Sequence, residues 1–139
     1  MSLNMDLSTL EPGQTLFSAP MTLSPIAIDA YLDAVGDDAD VYRAEGLAPP
    51  MAVAALVMAT AIRAVALPAG AVHTGQELDF AAPVPLGSDR DATLDCAGTV
   101  AQNSVRRGTR FLTIEITGDL NGTRAVTGRI SLAVAGEEE

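Results

Sequence analysis

Between Pro50 and Leu67 the chain reads PMAVAALVMATAIRAVAL, eighteen residues that are apolar except at Thr60 and Arg63. A membrane-spanning helix needs about 20 apolar residues, and a charge near its middle is costly. Lipid-facing spans also favour side chains larger than the alanines that dominate here. The stretch therefore predicts a buried helix, with Leu56 as a central large residue and Arg63 carrying its tip out to solvent. A helix apolar on nearly every side has to be wrapped.

The wrapper follows in the sequence. Pro68-Ala69-Gly70 breaks the helix, and the hydrophobic period then changes to two. Leu78 and Phe80 oppose Glu77 and Asp79. Leu94, Cys96 and Val100 face one way, while Asp91, Thr93, Asp95 and Thr99 face the other. Leu112, Ile114 and Ile116 alternate with Phe111, Thr113, Glu115 and Thr117, and Val126, Ile130, Leu132 and Val134 with Thr127, Arg129 and Ser131. Alternation of this kind marks antiparallel strands with one buried face. Asn121-Gly122 suits a type I′ hairpin between the last two strands. Gln102 to Gly108 reads as a longer, polar connection.

Upstream of the apolar helix, Phe17, Ala19, Met21 and Leu23 share one parity and predict a short half-buried strand. Ser24 has the chemistry of an N-cap, and Pro25 suits the first helical position. Ile28, Tyr31, Leu32 and Val35 follow at helical spacing, and Gly36 stands where a left-handed residue would end the helix. Asp37 to Pro49 reads as a polar, irregular loop. The order is strand, helix, loop, apolar helix, then at least four antiparallel strands. That is an α+β domain spanning residues 1–139, a curved antiparallel sheet wrapped around one long apolar helix.

Charge narrows the function. Asp and Glu number 18 against 8 Lys and Arg, a formal net charge of -10. So acidic a surface repels phosphate backbones and anionic membranes, which argues against nucleic-acid or membrane partners. The one cysteine, Cys96, cannot form an internal disulfide, and Met1 to Leu10 lacks the basic start and apolar run of a signal peptide. Both fit the cytoplasm. One histidine and one cysteine are a poor basis for a metal site, and no cofactor is expected. Arg106, Arg107 and Arg110 form the only basic cluster, readable as a solvated turn or as a contact for phosphates.

Two motifs carry a resemblance. Val35-Gly36-Asp37-Asp38-Ala39-Asp40-Val41-Tyr42, with Gly46-Leu47-Ala48-Pro49-Pro50-Met51 after it, resembles the signature of the MaoC-like hydratase/dehydratase family, in its N-terminal, non-catalytic-half version. Val72-His73-Thr74-Gly75-Gln76-Glu77-Leu78-Asp79-Phe80, with Pro83 and Gly87 beyond, resembles that family's central strand and following turn. The similarity runs from about residue 21 to residue 134. It implies a hotdog fold, with the helix from Pro50 as the sausage, and paired hotdogs sharing a joined sheet, as a homodimer or with a second, catalytic hotdog.

What the resemblance implies for chemistry is hydration of a 2-enoyl thioester of coenzyme A or acyl carrier protein, or the reverse dehydration of a (3R)-hydroxyacyl thioester. A carboxylate and an imidazole act on water and the α-proton, and an N–H at the start of the central helix meets the thioester oxyanion. Asp37 stands at the carboxylate position. Tyr42 occupies the histidine position, and a phenol, with an ordinary pKa near 10, is a poor base at neutrality. Pro50 falls on the oxyanion position and has no N–H to donate. Pro50 and Met51 are thereby implied at the substrate, together with His73 from the central strand. His73, on the polar parity of Glu77 and Asp79, lies outside the dyad.

The residues leave several readings open. The first is an acyl-thioester-binding hotdog serving as the non-catalytic partner of a hydratase/dehydratase. The second is an active hydratase or dehydratase using Asp37 and Tyr42. An acyl-binding or assembly module and a hotdog thioesterase are the others, since fold does not fix function.

Overall fold

Val57, Ala61 and Val65 are fully buried on one side of the helix α3 (Pro50–Val65), and the sheet that buries them supplies Leu94, Val100, Leu112, Ile114, Ile130 and Leu132. The computed structural model describes residues 6–36, 41–65, 67–86 and 91–136. In chain order it has β1 (Thr15–Leu23), α1 (Pro25–Val35), α2 (Val41–Glu45), α3, β2 (Val72–Phe80), β3 (Ala92–Arg106), β4 (Thr109–Leu120) and β5 (Thr123–Ala135). The strands form one antiparallel sheet in the order β1-β3-β4-β5-β2. Thus β3, β4 and β5 make a meander, and the helices carry the chain from one edge strand to the other.

Local chemistry sets the boundaries. The Ser24 hydroxyl accepts the Ala27 N–H at 3.1 Å with Pro25 in the first turn. Gly36 ends α1 in the left-handed region at φ 73°, its N–H reaching the carbonyls of Asp33 and Leu32. Asn121 and Gly122 both have positive φ, 52° and 83°, the geometry of the expected type I′ turn.

Several expectations change. Leu56 is half-buried rather than central; Val57 holds that place. The Asp37–Pro49 stretch contains α2 and is not wholly irregular, while residues 37–40 lie outside the described residues. Gln102 to Gly108 is no long loop either. β3 continues to Arg106 after a bulge between Val100 and Gln102, and Arg107-Gly108 makes a two-residue turn with φ 51° and 79°. Polarity misled there because exposed strand residues resemble loop residues in composition. On β1, Met21 and Leu23 are buried but Ala19 is exposed.

The basic cluster also divides. Arg106 and Arg107 are exposed, but Arg110 is 6% exposed, and its Nη1 donates to Asn103 Oδ1 at 2.7 Å. The Asn103 amide donates to the carbonyls of Leu7 and Leu10 at 2.8 and 2.9 Å. The pair clamps a short 3-10 turn (Leu7–Thr9) onto the sheet, so Arg110 acts in packing rather than as a phosphate contact. No helix among the described residues is long and apolar enough to cross a membrane.

Candidate functional site

Backbone pairing between two segments nearly forty residues apart builds a cleft at the start of α3. Tyr42 lies on α2, and its carbonyl accepts the Leu47 N–H at 2.9 Å. Gly46, at φ 65°, turns the chain there, as a residue without Cβ does readily. Leu47 then bridges Pro85, Ala48 N–H donates to Val84 O at 2.8 Å, and Leu86 N–H donates to Gly46 O at 2.7 Å. On the far wall, Ala81 and Ala82 both donate to the carbonyl of Ala125. These ties enclose about 280 Å³ between Tyr42, Pro50, Val53, Phe80, Pro83 and Val84.

The walls are apolar. Among the described residues lining the cleft, Tyr42 is the only one with an ionisable side chain. Just before α3, the Pro49 carbonyl accepts the N–H groups of Ala52 and Val53 at 3.0 and 3.2 Å. Pro50 has no N–H, so Met51 supplies the first backbone donor of the helix, and that donor has no partner within it. Met51 is 47% exposed and is not among the residues lining the cleft.

Tyr42 and Pro50 both line this cleft. Asp37 lies outside the described residues, as does Gly87 of the second motif. His73 is not brought in: it is exposed on β2, seven residues before Phe80, or about 23 Å along a strand. Its parity also differs from the sequence reading. A bulge at Thr74 pairs His73 with the inward Leu132, while Glu77 pairs with the outward Arg129, so the histidine and Glu77 face opposite sides. Phe80, Val84 and Ala125 were not singled out from sequence, because the cleft is made by backbone pairing that no periodicity reports.

A wider depression of about 430 Å³ lies across β4, β5 and β2 over Gly128. Its rim is ionic: Arg129 Nη2 contacts Glu115 Oε1 at 2.7 Å with Glu77 alongside, and Arg124 pairs with Asp119. Charged walls make it a poor slot for an acyl chain, and the smaller cleft is the better candidate. No group of three or more His, Cys, Asp or Glu among the described residues is placed to hold a metal ion.

This architecture, an antiparallel sheet curled over one central helix with an apolar cleft at the helix start, defines a hotdog-fold protein. Its structural likeness runs to the MaoC-like proteins. The MaoC-like dehydratase of Rhodospirillum rubrum superposes with a TM-score of 0.73 over 96% of this chain and 98% of its own, at 17% identity. From Mycobacterium tuberculosis, the ChsH1-ChsH2 complex matches at 0.68 and 20% identity over 89% of this chain and 98% of that one. The HadBC (3R)-hydroxyacyl-ACP dehydratase complex of the same organism matches at 0.65 and 17%, over 95% and 100%. No protein-family model matches the sequence, and no curated protein matches it significantly.

Proposed function

We propose that this chain binds an acyl thioester in the Tyr42–Pro50 cleft and serves as the non-catalytic partner of a hydratase/dehydratase. The observation that carries the reading is the cleft's chemistry: apolar walls, with the Tyr42 phenol as the one ionisable side chain among its described lining residues. Such a slot suits an acyl chain, and general acid–base catalysis near neutrality needs more than a phenol. Two of the similar structures are complexes, ChsH1-ChsH2 and the (3R)-hydroxyacyl-ACP dehydratase HadBC, which supports a partnered role in that chemistry.

The test is amide NMR of the protein titrated with short-, medium- and long-chain saturated acyl-CoA. Shifts are expected to cluster at Leu47, Ala48, Met51, Val53 and Val84, and Val84→Trp is expected to remove them while leaving the rest of the spectrum unchanged. Absence of any perturbation at these amides, at millimolar ligand, would remove the reading.

A further inference from the structure

The Tyr42–Pro50 cleft has a floor and a rim. Among its described lining residues, Ala48, Val53, Val84 and Ala125 are buried, whereas Pro50, Phe80, Ala81 and Pro83 are exposed. Behind the floor the core is filled. Val57, Cys96 and Val126 are buried there, and Gly118, the register partner of Cys96 and Val126, lies among them. A Cβ at Gly118 would stand 2.9 Å from Val126 Cγ1, 3.8 Å from Cys96 Sγ and 3.9 Å from Val57 Cγ2. An extended acyl chain would have to run on between α3 and the sheet, and a core packed this closely leaves it no path.

The volume agrees. About 280 Å³ lies just under the ~300–1,000 Å³ of ordinary small-molecule pockets. What the walls offer in place of depth is rings. The chain has only two Tyr and three Phe, yet Tyr42 and Phe80 both line this cleft, together with Pro50 and Pro83. A flat ring can meet the two aromatics in edge-to-face or offset contact, which a methylene chain cannot do. It also buries within a short depth the apolar area that a linear chain spreads along its length.

We propose that the cleft selects a compact, ring-bearing acyl group, an aromatic acyl thioester, over a long linear one. The inference rests on the acyl-thioester reading above and adds to it the shape of the acyl group.

The experiment is calorimetric titration of the full chain with benzoyl-CoA, butyryl-CoA and octanoyl-CoA, with the cleft amides followed by NMR. Benzoyl-CoA is expected to bind about tenfold tighter than butyryl-CoA through its two ring contacts. Octanoyl-CoA is expected to gain nothing over butyryl-CoA, because its extra methylenes find no slot. Phe80→Leu, at an exposed rim position, should cut the benzoyl-CoA affinity more than the butyryl-CoA affinity. Val53→Ala, which opens the floor, should raise the octanoyl-CoA affinity; should that variant misfold, the wild-type ranking still decides. Affinity that climbs from butyryl-CoA to octanoyl-CoA, or a benzoyl-CoA preference that survives Phe80→Leu intact, overturns the inference. The two readings fail differently. Perturbed cleft amides with a preference for the longer linear chain overturn the ring selection alone, whereas cleft amides silent to all three thioesters overturn the acyl reading and this inference with it.

Discussion

The ring of Phe17 fills the space that a side chain on Gly98 would need, one residue on β1 lying against its register partner on β3. An aromatic covering a cross-strand glycine restores the packing that the glycine lacks. Gly98→Val is therefore expected to expel the ring and destabilise the protein by about 1–3 kcal/mol, the ordinary cost of overpacking. Urea midpoints check this, and Phe17→Ala combined with Gly98→Val should cost less than the sum of the two single changes.

Val57 and Arg63 lie on the same helix but differ fully in burial. Val57→Ala removes two buried methyl groups, at ~0.8 kcal/mol each plus a cavity term, so a loss of about 2 kcal/mol is expected. Arg63→Ala loses a bond from its Nε to the Ala59 carbonyl at 3.3 Å, and a change within about 0.5 kcal/mol is expected. Equal shifts in denaturation midpoint would mean that α3 is not the core element.

Much of this fold was legible because the buried stretches of the meander strands alternate, β4 most regularly. Leu112, Ile114 and Ile116 are all buried, and Ser24 and Gly36 bound α1 by chemistry that needs no tertiary context. What escaped were places where one residue breaks a pattern. The bulge at Thr74 reversed the parity of His73, and the bulge after Val100 hid the last turn of β3. Arg110 looked like surface because nothing local announces Asn103 or the carbonyls of Leu7 and Leu10. In the cleft, Tyr42 and Pro50 stand in a motif quoted from the sequence, whereas Val84 and Ala125 became their neighbours only through pairing across the chain.

Purified alone, the protein is expected to hydrate 2-enoyl-CoA of any chain length at less than about one-thousandth of the ordinary enzyme median of ~10 per second. Loss of an oxyanion donor costs about 100- to 1000-fold, and loss of an acid–base group a further ~100- to 10,000-fold. Decay of the conjugated thioester absorbance gives the rate. Turnover near the median that Asp37→Asn abolishes would install a catalytic dyad of Asp37 and Tyr42 instead.

Cys96 is buried, and burial first, then the Asp95 and Asp119 carboxylates, push its thiol from 9.0 up to about 11. At pH 8 the folded protein should resist thiol-specific reagents, and denaturant should release one equivalent of labelling. Because the unfolded thiol ionises first, stability should decline as pH rises from 9.0 towards about 11. Cys96→Ala should lose that part of the decline.

Asp6 accepts hydrogen bonds from the Ser8 hydroxyl and N–H at 2.6 and 3.0 Å, and these hold its carboxyl below the ordinary 3.8. A depressed carboxylate stabilises the fold above the unfolded value and loses that effect as pH falls through the folded one. The Leu7–Thr9 turn should therefore keep its protection at neutrality and open below pH 3.8, read by exchange at the Ser8 amide. Asp6→Asn should flatten that pH dependence.

The strand order also has a consequence for the sequence of folding. β3, β4 and β5 are joined by two-residue turns and can assemble from contacts close in the chain, whereas β1 must find β3 and β2 must find β5 across long stretches. Closing long loops is slow, so the meander is the natural nucleus and both edges join late. During synthesis the N-terminal half emerges first, and α3 waits in water until its sheet exists. A helix built largely of alanine and valine is suited to that interval: it exposes little sticky surface while it waits, yet packs closely once the strands arrive.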